Sequence, residues 1–101
     1  MSKTRVKRID SRKVAYAAEM LRVMGHPVRL RIVELLEGHG ELPAGAFHAA
    51  LEEPQPTVSQ HLNKMRALGL LKARREGGQV LYSVAQTQLF KLLQCVRECQ
   101  P

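Results

Sequence analysis

Thr57-Val58-Ser59-Gln60-His61-Leu62-Asn63-Lys64-Met65-Arg66-Ala67-Leu68-Gly69, running directly into Leu70-Leu71-Lys72-Ala73-Arg74-Arg75-Glu76-Gly77-Gly78-Gln79, is the stretch on which the fold turns. Val58, Leu62, Met65 and Leu68 recur at three- and four-residue intervals, the spacing of one apolar helix face, and the other face is polar throughout. Gly69 stands where a left-handed cap ends a helix. Residues 70–75 and 79–84 are β-prone runs on either side of Glu76-Gly77-Gly78, a hairpin signal.

Upstream, Val14, Ala17, Leu21 and Met24 predict a first helix that Gly25 stops. His26-Pro27 restarts the chain, since proline is at home in a helix's first turn, and Val28, Ile32, Leu35 and Leu36 predict a second helix ending at Gly38. Gly38 and Gly40 mark a loop. Pro43 opens a short third helix through Phe47, Ala50 and Leu51, terminated by the Glu-Glu-Pro-Gln-Pro run at 52–56. Downstream of the hairpin, Leu89, Leu92, Leu93 and Val96 predict a last helix. A short helix, a polar-faced helix and then a basic hairpin is the layout of a winged helix-turn-helix. The expected fold is mainly α, with about five helices and a two-stranded β-hairpin wing. Residues 1–13, basic and without apolar period, are expected to form a flexible arm, and 14–101 a single domain for DNA binding and dimerisation.

Composition narrows the function. A chain of 101 residues suits one domain, and 45% hydrophobic with only 4% aromatic residues and no Trp suits a helical core of Leu, Val, Ala and Met. The formal charge of +7 points to a polyanionic partner. Residues 1–13 carry Lys3, Arg5, Lys7, Arg8, Arg12 and Lys13 against Asp10, and residues 56–79 carry Lys64, Arg66, Lys72, Arg74 and Arg75 against Glu76. Residues 14–55 are net acidic, so the folded body is polarised. No run approaches the roughly 18 apolar residues that span a bilayer, and Glu19 interrupts the apolar turn after the basic start, so a cytoplasmic protein without a membrane partner is expected. Cys95 and Cys99 lie too close together for the distributed disulfide framework of a small secreted domain. Neither a nucleophile-base-orienter set nor a phosphate-binding glycine loop is present, which argues against an enzyme.

Double-stranded DNA is the partner this layout favours. Side chains near the start of the fourth helix would reach base edges in a major groove, which selects Gln55, Thr57, Ser59, Gln60, His61 and Lys64. Glutamine pairs with adenine, serine and threonine adapt to several partners, and lysine suits phosphate. His61, beside Leu62, is also a candidate to orient backbone. Arg74, Arg75 and Gln79 flank Gly77-Gly78 and would meet a backbone or minor groove from the wing. Against these stands a bland reading: a solvated helix face, and an edge strand kept charged to prevent edge pairing. The basic arm could lie in a minor groove or along phosphates, or be a solvated tail.

The motif Leu21-Arg22-Val23-Met24-Gly25-His26-Pro27-Val28-Arg29-Leu30-Arg31-Ile32, then Thr57-Val58-Ser59-Gln60-His61-Leu62, then Leu68-Gly69-Leu70-Leu71 with Arg74-Arg75-Glu76-Gly77 and Tyr82, resembles the ArsR/SmtB family of bacterial repressors from about residue 14 to the end. The resemblance implies a homodimer built from the first and last helices, bound to a pseudo-palindromic operator and released by a metal or thiol-reactive ligand. Two metal sites of the family are not matched. Where some members carry thiolates on the third helix, this chain has Glu41-Leu42-Pro43-Ala44-Gly45-Ala46-Phe47, and where others carry Asp-x-His on the last helix it has Gln86-Thr87-Gln88. Neutral amides are poor zinc ligands. The second cysteine of sulfide- or oxidant-responsive members is also missing at Ile32-Val33-Glu34. Cys95 and Cys99 remain as the candidate thiol sensor, one helical turn apart and suited to a soft metal(loid) or a sulfur species, with simple packing as the alternative. A winged-helix protein-interaction module without inducer sensing is the competing function.

Overall fold

Asp10 opens the first helix by accepting from the Arg12 N–H at 2.7 Å. In the computed structural model, which describes residues 5–101, this helix, α1, spans Ser11–Met24, so it begins three residues before Val14. An aspartate cap fixes the first turn of a sequence with no apolar period. Of the arm's basic residues, Lys3 falls outside the described residues, and Arg12 and Lys13 belong to α1.

Helix α2 (Pro27–His39) starts with Pro27 in its first turn and the His26 side chain accepting from the Val28 N–H. It runs through Gly38 rather than stopping there. Gly40, at φ +80° and ψ −62°, leaves the helical region on the positive-φ side and donates its N–H to the Leu36 carbonyl at 2.8 Å. Of two nearby glycines, the one that ends the helix is the one whose backbone leaves the right-handed region.

Leu42–Pro43 forms a short strand, β1, which the sequence reading did not anticipate, because two residues show no alternation. It pairs antiparallel with β3 (Gln79–Val84), which in turn pairs with β2 (Leu71–Glu76), giving the order β1-β3-β2. The expected two-stranded wing is therefore a three-stranded sheet at its base. Pro43 lacks an amide hydrogen and sits on an edge strand, where that loss is tolerated. Between β2 and β3, Gly77 and Gly78 both adopt positive φ (+56° and +82°) with Glu76 opposite Gln79, the demand of a two-residue hairpin turn.

Helix α3 (Ala44–Leu51) is followed after a tight turn by α4 (Gln55–Ala67). Gly69, at φ +81°, ends α4 as expected, donating to the Arg66 carbonyl, while Leu70 reaches back to the Met65 carbonyl, both at 2.9 Å. That double bond pattern turns the chain straight into β2. Helix α5 (Gln88–Arg97) closes the fold.

The core gathers around α2, whose Ile32, Val33 and Leu36 are buried with Phe47 of α3, Leu62 and Met65 of α4, and Leu89 of α5. The Phe47 ring meets Tyr82 of β3 nearly edge-on, centroids 6.3 Å apart, and so ties α3 to the sheet. Helix α1 buries only Val23 and Met24. Val14 and Leu21, on the stripe that marked this helix in the sequence, remain half exposed. Among the described residues, no helix is long and apolar enough to cross a membrane.

Candidate nucleic-acid interface

Helix α4 divides sharply into two faces. Val58, Leu62 and Met65 are buried, whereas Gln55, Gln60 and Lys64 are exposed and Thr57 and Ser59 half-buried at its rim. Gln60, Asn63 and Lys64, three and four residues apart, form one uninterrupted solvent-facing row. Asn63 was missed as a candidate, although its spacing from Gln60 was the available signal. Asparagine and glutamine both offer the paired donor and acceptor that adenine presents in a major groove.

His61 is corrected. Its side chain is buried on the inner side of α4, and its Nδ1 accepts from Arg29 Nε of α2 at 3.0 Å. The ring also lies against His26, with centroids 4.4 Å apart. Burial, with help from His26 and Arg29, pushes its basicity below the ordinary value of 6.5. A neutral, inward ring bonded at its near nitrogen does not belong to the row that faces outward.

On the wing the two arginines part company. Arg74 places Nε and Nη2 on the two oxygens of Glu41 at 2.7 and 2.8 Å and Nη1 on Glu76 at 2.8 Å. This fork holds the Glu41 carboxyl below the usual carboxylate range and raises the Arg74 guanidinium. Arg74 thus latches the wing to the segment before β1, with three of its five N–H donors bonded within the protein. Arg75 points from the exposed strand with no carboxylate partner among the described residues. Gln79 is exposed beside the turn. Arg66, Arg74, Arg75, Ala73 and Val80 line a shallow hollow of about 180 Å³ between the end of α4 and the wing, so Arg66, also overlooked, adds a cation at that junction.

A helix-turn-helix domain model matches residues 24–74, from the end of α1 into β2. An HTH-type transcriptional regulator of Methanocaldococcus jannaschii is 35% identical over 86 residues, covering 85% of this chain and 97% of its own. The transcriptional repressor PagR of Bacillus anthracis is 39% identical over 83 residues, covering 82% of this chain and 83% of its own. Its crystal structure matches with a TM-score of 0.79 at 36% identity, over 86% of this chain and 99% of that one. The HTH-type transcriptional repressor SmtB of Mycobacterium tuberculosis is 40% identical over 73 residues, covering 72% of this chain and 53% of its own. The chain belongs to the ArsR/SmtB family of winged helix-turn-helix regulators.

In this ArsR/SmtB member, α3 and α4 form the helix-turn-helix and the β2–β3 hairpin is the wing. The third-helix segment that carries thiolates in other members is here taken up by β1 and the start of α3, with Glu41 bound to Arg74. Gln86 and Gln88 line an open hollow beside Tyr16 and Met20 of α1. Cys95 and Cys99 are both exposed free thiols, which removes them from the core of the protomer, and the Cys99 thiol donates to the Cys95 carbonyl at 3.5 Å. No cluster of three or more His, Cys, Asp or Glu side chains suited to a metal occurs among the described residues.

Proposed function

We propose that the protein is a transcriptional repressor that binds a pseudo-palindromic operator as a homodimer, with α4 in the major groove. The observation that carries this reading is the exposed row Gln60, Asn63 and Lys64, set on a helix whose other face is locked into the core, next to a basic wing. A rigid polar helix face beside free cations separates base reading from phosphate anchoring. Gln55, Thr57 and Ser59 flank the row, and Arg66 and Arg75 face the backbone. Enrichment from a pool of random duplexes, followed by footprinting, is the test. The expected product is an inverted repeat with half-sites spaced by about one helical turn or a multiple of it. A pool that shows no enrichment contradicts the reading.

The wing makes a sharper distinction. Arg75→Ala is expected to weaken binding to all duplexes alike and to lower the salt slope by about one per protomer. Arg74→Ala should leave that slope unchanged, because the guanidinium is turned onto Glu41 and Glu76 rather than onto phosphate, while the two carboxylates it uncovers lower the affinity for every duplex. Titrations at several salt concentrations would separate the two variants.

The dimer is supported by apolar surface that the protomer leaves open: Val14 and Leu21 on α1 and Val96 on α5 are 50%, 51% and 41% exposed. Tyr16 Oη donates to the Leu68 carbonyl at 3.4 Å, so α1 is also bonded to the end of the recognition helix. A rotation at such an interface changes the spacing of two recognition helices. The switch we assign to Cys95 and Cys99, taking a soft metal(loid) or a sulfur species, with any third donor coming from a second copy. Arsenite, persulfide and peroxide should each be assayed for operator release, with native protein beside Cys95→Ser plus Cys99→Ser. Equal release from both proteins would return the cysteines to a passive role.

A further inference from the structure

The end of α1, the start of α2 and the middle of α4 meet at three polar side chains that the DNA-reading row does not use. Arg29, in the first turn of α2, donates from Nη1 to the Val23 carbonyl at 2.8 Å and from Nε to His61 Nδ1 at 3.0 Å. A cation there opposes the helix dipole, so helix electrostatics does not explain its position. His61 is 8% exposed on the inner side of α4. The His26 ring packs on it at a tilt of 59°, and its own Nδ1 accepts from the Val28 N–H as the cap of α2. The His61 Nδ1 is used as an acceptor, which requires a neutral ring with its proton on Nε2. The remaining charged groups that act on His61 are Glu53, from the turn before α4, and Lys64 on α4 itself.

We propose that Arg29 and His61 form a titratable strut that positions the recognition helix, so that DNA binding requires a neutral His61 and is lost on acidification. This rests on the DNA-binding reading given above. A proton on His61 Nδ1 would face the Arg29 Nε–H, turning a hydrogen bond into two opposed donors and adding a charge beside a guanidinium. Among the described residues, this bond is the side-chain hydrogen bond that joins α2 to α4. Gln60 precedes His61, and Asn63 and Lys64 follow within one turn, so displacement of the ring moves the whole outward row. His26, Arg29 and Lys64 all press the ring toward neutrality, and only Glu53 opposes them. The transition therefore falls below the ordinary histidine value of 6.5. Its direction is diagnostic. A protein that only gains positive charge as the pH falls would instead be drawn more strongly to DNA.

The experiment measures affinity for a selected duplex and for an unrelated one, at constant ionic strength, from about pH 7.5 to about pH 5. In parallel, NMR follows the His61 ring in the native protein. Operator affinity, which needs the ring neutral in both protomers of the dimer, is expected to fall about a hundredfold for each pH unit below the His61 midpoint, with the two midpoints coincident. His61→Asn, whose amide oxygen can accept from Arg29 in place of Nδ1, should bind at the upper pH and stay flat. A flat native profile, a loss centred away from the His61 titration, or the same loss in His61→Asn would overturn the strut. If the variant does not fold, coincidence of the two midpoints in the native protein decides the matter. No binding of any duplex at the upper pH would instead overturn the DNA-binding reading and the strut with it.

Discussion

Leu21→Glu is expected to convert the dimer to a monomer and to lower operator affinity by about a hundredfold or more. Leu21 lies one heptad after Val14 on α1, both half exposed, and α1 is held to its own protomer mainly by Val23 and Met24 at its far end. A carboxylate at Leu21 leaves the protomer core intact, because Leu21 is not among the residues packed into it. In a dimer it would bury a charge in an apolar seam. Two linked half-site contacts then become independent, and the avidity that joins them is lost. Sedimentation at micromolar concentration should show the native protein as a dimer and the variant as a monomer with unchanged helicity. A native protein that sediments as a monomer would remove the dimer from the account, whatever the variant does.

Phe47→Ala is expected to cost about 3–5 kcal/mol and to lower Tm by roughly 15–30 °C, measured at fixed protomer concentration. Phe47 is fully buried and packs edge-on against Tyr82, so it serves two contacts at once: α3 against the core and α3 against β3. Truncation leaves a hole between a short helix and the central strand of the sheet, which is held by pairing on both of its sides. Urea or thermal unfolding would check the figure. A loss below about 1 kcal/mol would mean that this junction repacks freely.

What could be read from the sequence was what local rules decide. Gly69 and the pair Gly77-Gly78 are positive-φ positions that only their immediate neighbours define, and both fell where the sequence placed them. The five helices followed from periodicity, and the end of α2 moved from Gly38 only because two glycines competed for one cap. Other features depend on partners remote in sequence. The latch of Arg74 needs Glu41, 33 positions away, and the inward turn of His61 is completed by Arg29, 32 positions away. Strand β1 exists because Tyr82 and Leu81 present a free edge to it. His61 was nevertheless within reach, since it lies three residues after Val58 and four before Met65 and so completes the buried arc. The same count would have added Asn63 to the outward row.

The central claim is that the outward row of α4 reads DNA. It is tested most directly by comparing native protein with Gln60→Ala plus Lys64→Ala on the enriched duplex and on an unrelated one, across a range of salt concentrations. Both side chains are exposed on the surface of a helix anchored by Val58, Leu62 and Met65, so the fold should be unaffected. The account predicts that the preference for the enriched duplex collapses by about tenfold or more, from loss of the Gln60 base contact, and that the salt slope shrinks by about one per protomer, from loss of the Lys64 phosphate contact. Unchanged affinity, preference and salt slope in the double variant would contradict it.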